Sequence, residues 1–142
     1  MRYMIIVKAT KDSEAGVMPP EELMAEMAAY HEELAKAGVL VDGSGLQRSE
    51  KGWRIRYQGA KRAVIDGPFA ETKELIAGYT LIQVKSREEA VEWTRRFPNP
   101  TIEGADCEIE VRQLFELEDF EPSNTIERFR EIGIGGVEER RT

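Results

Sequence analysis

The sequence contains a single cysteine and a single histidine, and it lacks a long apolar run. One cysteine cannot form an internal disulfide, and no leader pattern stands at the start of the chain, so we expect a cytoplasmic protein. No apolar stretch approaches the roughly 20 residues of a membrane span, so we expect no membrane partner. One histidine and one cysteine cannot supply a His/Cys zinc set, and we expect neither a metal ion nor another cofactor.

The chain also lacks an excess of basic residues. Its formal net charge is −7, with 20 lysines and arginines against 27 acids. Binding to a phosphate backbone depends on clustered lysines and arginines that release counterions, so we expect no nucleic-acid partner. A length of 142 residues is enough for one domain with a core of its own.

Two helices are predicted from capping residues and helical spacing. A proline pair opens the first and Gly38 closes it, which places this helix at 20–37. Ser86 begins a capping box for the second helix, over 87–97. The first helix carries one apolar stripe, composed of Leu23, Met27, Tyr30 and Leu34.

Six extended runs are predicted to be strands, because apolar residues alternate in them or fill them. The run 53–59 alternates aromatic or aliphatic residues with arginines, and we expect it to form a hairpin with 39–47 across a turn near Gly52. Cys107 is expected on the apolar face of the last strand, as an inert filler. The six runs are 2–9, 39–47, 53–59, 61–66, 78–86 and 107–115.

The order of these elements predicts an α+β fold, a ferredoxin-like βαββαβ arrangement with an added β-hairpin. Both helices would cover one face of an antiparallel sheet. The other face is too apolar for open water and too charged for a dry core, and a second copy of the sheet is its simplest cover. We therefore expect a homodimer with a two-fold interface around partly polar cavities. The residues assigned to this face are Met4, Ile6, Thr80, Glu110 and Arg112.

The composition changes after residue 117, which divides the chain into a domain at 1–117 and a C-terminal extension at 118–142. In the extension, Asn124 and Glu127 are expected to cap a short helix. The extension is expected to pack on the partner subunit or to be mobile beyond Gly135 and Gly136.

The loop DGPFAETKE, residues 66–74, is the first candidate for chemistry. Gly67 and Pro68 turn the chain sharply and hold the Asp66 carboxylate at the end of a strand. Thr72 and Lys73 have side chains that donate hydrogen bonds to an anion or a carbonyl. The alternative is structural, with Asp66 accepting bonds from the following backbone amides in an Asx-type turn.

His31, on the first helix, is the second candidate. It lies at the border of the apolar stripe, and an imidazole has a pKa suited to proton transfer at neutral pH, above all when a carboxylate such as Asp66 orients it. The alternative is an ordinary boundary residue. A third candidate, for an anionic ligand, is the group Arg54, Arg56 and Arg62, whose alternative is a solvated strand face.

Four stretches then support a family resemblance: DGPFAETKE, EELAKAGVLVDGSGLQ, GYTLIQVKSREEAVEWTRRFP and EIEVRQLFE. Together they resemble the DGPF-domain branch of the YCII-related family, in the dimeric α+β barrel superfamily. The resemblance covers about residues 1–117. It implies a ferredoxin-like protomer paired into a dimeric α+β barrel, with a pocket lined by the loop and the first helix.

The resemblance also implies a catalytic His–Asp pair, which falls on His31 and Asp66. We expect a small-molecule enzyme with lyase-type or isomerase-type acid–base chemistry on a hydroxylated or carbonyl ring compound. The alternative is a non-catalytic ligand-binding or regulatory protein linked to stress or transcription control. The loop residues expected to contact the substrate are Gly67, Pro68, Phe69, Thr72, Lys73 and Glu74.

Overall fold

A computed structural model describes residues 1–136, which contain six strands and four α-helices. Short 3₁₀ turns at Ser49–Lys51 and Thr72–Glu74 flank the hairpin region. The main elements are β1 (Arg2–Lys8), α1 (Lys11–Glu14), α2 (Glu21–Lys36), β2 (Leu40–Gly45), β3 (Trp53–Gln58), β4 (Lys61–Asp66), β5 (Ile76–Gln83), α3 (Arg87–Arg95), β6 (Ile109–Gln113) and α4 (Asn124–Glu131).

Four strands form an antiparallel sheet in the order β2-β5-β1-β6. With α2 between β1 and β2 and α3 between β5 and β6, this is the ferredoxin-like arrangement, so the predicted fold is confirmed. Strand β1 lies inside the sheet because both of its faces are apolar enough to be covered. Ile5, at its centre, is fully buried.

The core lies between the sheet and the two long helices. The predicted stripe of α2 is confirmed, since Tyr30 and Leu34 are buried and Leu23 and Met27 are half-buried. The capping of α3 is also confirmed, because Ser86 Oγ accepts from the backbone N–H of Glu89 at 3.1 Å. The main buried cluster is Tyr3, Ile5, Tyr30, Leu34, Val39, Ile82, Val84 and Ala90.

The face of the sheet that points away from the helices carries a mixture of apolar and charged residues. Ile6 is opposite Glu110 on the neighbouring strand, and Met4 is opposite Arg112, as expected. Lys8 Nζ lies 3.2 Å from Glu110 Oε1 across this face. We call it the far face.

The assignment of Thr80 to the far face was wrong. Thr80 is opposite Ile5 in the β1–β5 pairing, and directly opposed residues share a face, so it points towards the helices. It is 3 % exposed. The reason is the register: Ile82, two residues further along β5, is in the core, and alternation places Thr80 on the same side.

An added hairpin is present, but its predicted partners were wrong. Strand β3 pairs with β4 as a separate two-stranded sheet, while β2 pairs with β5. Gly59 decides this, because its positive φ of +61° permits a two-residue turn between β3 and β4. We call residues 53–66 the arm.

Cys107 differs from its prediction too. It precedes β6 and is exposed, and its Sγ–H donates to Asn99 Oδ1 at 3.3 Å. The C-terminal extension contains α4, but Ser123 caps it in place of Asn124, with Ser123 Oγ accepting from the N–H of Ile126. The expected mobile tail after Gly136 lies outside the described residues. Up to that point no helix has the length and apolarity that crossing a bilayer requires.

Candidate functional site

Asp66 ends β4 at the base of the arm, directly opposite Trp53. Its side chain is exposed. Within residues 1–136 its carboxylate accepts no hydrogen bond and joins no ion pair, so the Asx-type turn is not formed there. The carboxylate is therefore open to a ligand or to another chain.

The loop after Asp66 is held against the turn at Ser49–Lys51. The Phe69 N–H donates to Ser49 Oγ at 3.0 Å, and the Gly67 N–H donates to the carbonyl of Gly52 at 3.0 Å. The Gly67–Pro68 peptide is cis. A Cβ on Gly67 would lie 1.9 Å from the Ser49 carbonyl oxygen, so only glycine fits this approach.

Glu14 in α1 holds Ser49 in turn. Its carboxylate accepts from the Ser49 N–H at 2.9 Å and from the Ser49 hydroxyl. We call this chain of bonds, from Glu14 through Ser49 to Phe69, the Ser49 clamp. Sequence reasoning missed it, although Thr10 and Ser13, which cap each other's backbone at the start of α1, were a readable signal for that helix.

The predicted arginine group is divided between the two faces of the arm. Arg54 and Arg56 share one face, where the Arg54 guanidinium lies 3.9 Å from the centre of the Phe69 ring. Arg62 lies on the opposite face, over the ring of Tyr57. The three guanidinium groups therefore do not form one anion site within a single chain.

Thr72 and Lys73 line an open cleft of about 1340 Å³ beside β1 and the segment before β6. Lys8 and Lys11 also line it, and so do several acids, which leaves the lining mixed in charge. The other candidate loop residues, Gly67, Pro68, Phe69 and Glu74, do not line this cleft. The structure thus divides the loop into a part at the base of the arm and a part at the cleft.

His31 binds the sheet from the first long helix. Its Nδ1 lies 2.7 Å from the Met27 carbonyl oxygen, and its Nε2 lies 2.8 Å from Thr80 Oγ1. Because a carbonyl only accepts, Nδ1 carries a proton, and in the neutral ring Nε2 accepts from the Thr80 hydroxyl. His31 makes no hydrogen bond to Asp66 within this chain.

Tyr30 packs beside His31, with ring centres 5.6 Å apart. Its hydroxyl donates to the Trp93 carbonyl at 2.7 Å. Burial raises the pKa of Tyr30 to about 12, because ionisation would place a charge in the apolar core. The phenol beside His31 therefore keeps its proton to a higher pH than an exposed tyrosine would.

Comparison with known proteins adds to this geometry. The family model described as the YCII-related domain matches residues 1–116. An uncharacterised protein of Rhizobium meliloti strain 1021 is 30% identical over 95 residues, which cover 67% of this chain and 77% of the relative. A solved structure of 5-chloro-2-hydroxyhydroquinone dehydrochlorinase from Burkholderia phenoliruptrix AC1100, in complex with 2,5-dihydroxybenzoquinone, has 14% identity and a TM-score of 0.42, covering 82% of this chain and 95% of that one.

Proposed function

This chain belongs to the YCII-related family, and on that premise we propose that it is a small-molecule enzyme with acid–base chemistry of the lyase or isomerase type. Its substrate is a hydroxylated or carbonyl-bearing ring compound. The observation that carries the proposal is the exposed Asp66 carboxylate, which has no partner among the described residues and sits on a loop held by the Ser49 clamp.

Asp66 is the proposed base. A carboxylate that takes a proton from a substrate needs a free lone pair and a fixed position within hydrogen-bond reach. The strand end and the bond from the Phe69 N–H to Ser49 support the fixed position. The absence of an internal acceptor bond among residues 1–136 supports the free lone pair.

His31 is the proposed partner in proton transfer. The bond from Nδ1–H to the Met27 carbonyl fixes the tautomer and leaves Nε2 as the reactive nitrogen. To accept a substrate proton, Nε2 must exchange the Thr80 hydroxyl for the substrate. His31 makes no hydrogen bond to Asp66 within one chain. The proposed reaction therefore uses the two side chains at separate atoms of the substrate, or uses His31 of one chain with Asp66 of another.

The loop provides the proposed binding contacts. Thr72 and Lys73 reach the cleft with donors suited to a hydroxyl or carbonyl oxygen. Gly67, Pro68 and Phe69 form the proposed wall at the base of the arm, and Glu74, next to Lys73 in the 3₁₀ turn, is the remaining proposed contact.

The proposed working unit is a homodimer in the cytoplasm. The far face carries Met4 and Ile6 beside Glu110 and Arg112, a mixture that a second sheet would cover, closing the two sheets into a dimeric barrel. The exposed free thiol of Cys107 suits a reducing compartment.

A non-catalytic ligand-binding or regulatory protein is the second candidate. It is favoured by the engagement of both ring nitrogens of His31 inside the fold, with Met27 and Thr80, which also suits a purely structural imidazole. In that case the loop would bind a ligand without transforming it.

The test is a thermal-shift screen of dihydroxybenzenes, quinones and cyclic hydroxyketones against the wild type and the Asp66→Asn variant. Glu88→Gln, an exposed acid of α3, is the control for loss of one charge. A compound at 100 times its Kd stabilises the folded state by about 2.7 kcal/mol. We expect that shift in the wild type and the control, with Asp66→Asn losing most of it.

An equal shift in Asp66→Asn would reject the proposed role of Asp66. A shift that depends on Asp66, with the compound recovered unchanged after long incubation, would favour the second candidate.

A further inference from the structure

Glu14 joins the base of the arm to the rest of the domain. The segment 48–69 contains the turn before β3, the arm and the start of the loop after Asp66. Within residues 1–136, the strands of this segment pair only with each other. In the same part of the chain, the hydrogen bonds that link the segment to other residues all run from Ser49 to the Glu14 carboxylate. Glu14 therefore provides the hydrogen-bonded connection between the unit that carries Asp66 and the main sheet.

Packing of the arm does not replace this connection. In residues 53–66 only Ile65 is even half-buried. Two strands without a third strand or a helix packed on them are marginally stable in water, so the arm needs support at its base. Arg48 adds a contact next to Glu14, because its Nη1 occupies the space that a Cβ on Gly16 would need. Both contacts join the region of α1 to the same turn.

The Glu14 carboxylate also sets the direction of the hydrogen bonds at Ser49. One of its oxygens accepts from the Ser49 N–H at 2.9 Å, and the other accepts from the Ser49 hydroxyl. The hydroxyl has one proton, which it donates to Glu14, so its lone pairs are left to accept from the Phe69 N–H at 3.0 Å. Hydrogen bonds to an ionised carboxylate are roughly twice as strong as neutral ones. A neutral side chain in place of Glu14 would therefore loosen the whole Ser49 clamp.

The helix α1 contributes little besides Glu14. Thr10 and Ser13 cap each other's backbone and fix this short helix, but none of its residues is buried. Glu14 is half-buried, and within residues 1–136 it forms no ion pair. A carboxylate that loses hydration without a cation beside it depends on its hydrogen bonds. The core does not account for this arrangement, whereas the contact with Ser49 does.

We infer that Glu14 is a positioning residue for Asp66 and that it acts through Ser49. This inference rests on the proposed function, in which Asp66 takes a proton from the substrate. Glu14 is not among the residues that line the cleft. Its role is to fix the base of the arm, and with it the Asp66 carboxylate, relative to the substrate. A displacement of about 1 Å at a reacting group can lower a rate by about 100-fold.

The part of the loop that lines the cleft is held separately. The Ala9 N–H donates to the Leu75 carbonyl at 2.9 Å, which joins the segment after Thr72 and Lys73 directly to the end of β1. The proposed binding contacts of Thr72 and Lys73 therefore do not depend on Glu14. Loss of the Glu14 carboxylate should lower kcat and leave KM nearly unchanged, because it affects the base and not the binding contacts.

The test compares variants of the Ser49 clamp. Glu14→Gln keeps the size of the side chain but removes its charge and one acceptor, and Ser49→Ala removes the hydroxyl. Ser49→Thr keeps a hydroxyl that donates and accepts. The control is Ser86→Ala, which also removes a serine hydroxyl that accepts from a backbone N–H, but at the start of α3.

Two measurements are made on each variant. Turnover is measured on catechol, lawsone and tropolone, which are a dihydroxybenzene, a hydroxyquinone and a cyclic hydroxyketone. Amide hydrogen exchange of Phe69, followed by NMR, reports the Ser49 clamp without any substrate. Far-UV circular dichroism checks the fold.

We expect kcat to fall about 100-fold in Glu14→Gln and in Ser49→Ala, with KM nearly unchanged. The double variant should lose no more than Ser49→Ala alone, since Glu14 acts through Ser49. Ser49→Thr should restore most of kcat, and Ser86→Ala should keep the wild-type value. The Phe69 amide should exchange faster in Glu14→Gln than in the wild type and Ser86→Ala.

Unchanged exchange of the Phe69 amide in Glu14→Gln would overturn the inference, because the clamp would not depend on the carboxylate. Wild-type kcat in Glu14→Gln, together with lost turnover in Asp66→Asn, would also overturn it and would leave the proposed base standing. A wild type that transforms none of the three compounds, or an Asp66→Asn variant as active as the wild type, would overturn the proposed function and this inference together.

Discussion

His31 Nε2 and Thr80 Oγ1 lie 2.8 Å apart and join the first long helix to the middle of the sheet. Thr80 is buried, so its hydroxyl needs a partner, and the imidazole provides it. The same contact fixes the orientation of the ring. The single histidine of the chain therefore has a structural role that is independent of any role in chemistry.

Thr80→Val tests that structural role. Valine keeps the volume of threonine but cannot donate to Nε2, and loss of a partner for a buried polar group costs about 1–3 kcal/mol. We expect the free energy of unfolding in urea to fall by that amount. Thr125→Val, in the exposed first turn of α4, is the control and should change little. Equal effects at the two positions would show that the His31–Thr80 bond contributes nothing to stability.

Gly67→Ala tests the close approach under the loop. The new Cβ would lie 1.9 Å from the Ser49 carbonyl oxygen, so the backbone must shift. Overpacking of this kind costs about 1–3 kcal/mol. Gly52→Ala is a matched control, because its Cβ would meet the same oxygen at 3.6 Å, an ordinary contact.

We expect Gly67→Ala to lower the thermal midpoint, while Gly52→Ala leaves it unchanged or raises it through a less flexible unfolded chain. A smaller loss of stability in Gly67→Ala than in Gly52→Ala would show that the loop does not approach Ser49 as described.

The pKa of Tyr30 predicts alkaline destabilisation. Burial raises this pKa to about 12 in the folded chain, from the ordinary value of 10.0 that applies when the chain is unfolded. The native state therefore keeps the phenol proton where the unfolded chain loses it. This contribution to stability is fully present below about pH 10 and is lost as the pH rises towards 12.

Urea unfolding at a series of pH values from about 9 to about 11.5 measures this loss. In Tyr30→Phe the slope of unfolding free energy against pH should be shallower, even though loss of the bond to Trp93 lowers stability by about 1 kcal/mol at every pH. A wild-type slope in Tyr30→Phe would contradict the burial of this phenol in its neutral form.

Local patterns predicted most of the fold. The alternation of apolar and polar residues predicted the strands. The apolar stripe that ends in Tyr30 and Leu34 predicted the face of α2 that packs on the sheet. The predicted face of Thr80 was wrong because β5 is apolar on both faces. The sequence of β5 alone therefore does not determine which face packs on the helices. The predicted partner of β3 was wrong because the hairpin turn was placed near Gly52, whereas the two-residue turn that begins at Gly59 joins β3 to β4.

The candidate site was less predictable because it depends on tertiary contacts. Glu14 and Ser49 are 35 residues apart in the chain, and no spacing rule joins a short helix to a distant turn. His31 could be placed at the border of the stripe, but its contact with Thr80 depends on the packing of α2 over β5. The motif around Asp66 indicated a fixed carboxylate, whereas the bonds that fix the loop come from residues outside the motif.

The central claim is that Asp66 acts on a bound ring compound. Its most direct measurement is turnover of the compound found in the thermal-shift screen, at saturating concentration, by the wild type, Asp66→Asn and Glu88→Gln. Loss of a general base lowers kcat by about 10²–10⁴-fold, so we predict such a loss in Asp66→Asn, with wild-type kcat in Glu88→Gln. An Asp66→Asn variant that is folded and turns the compound over at the wild-type rate would contradict the account.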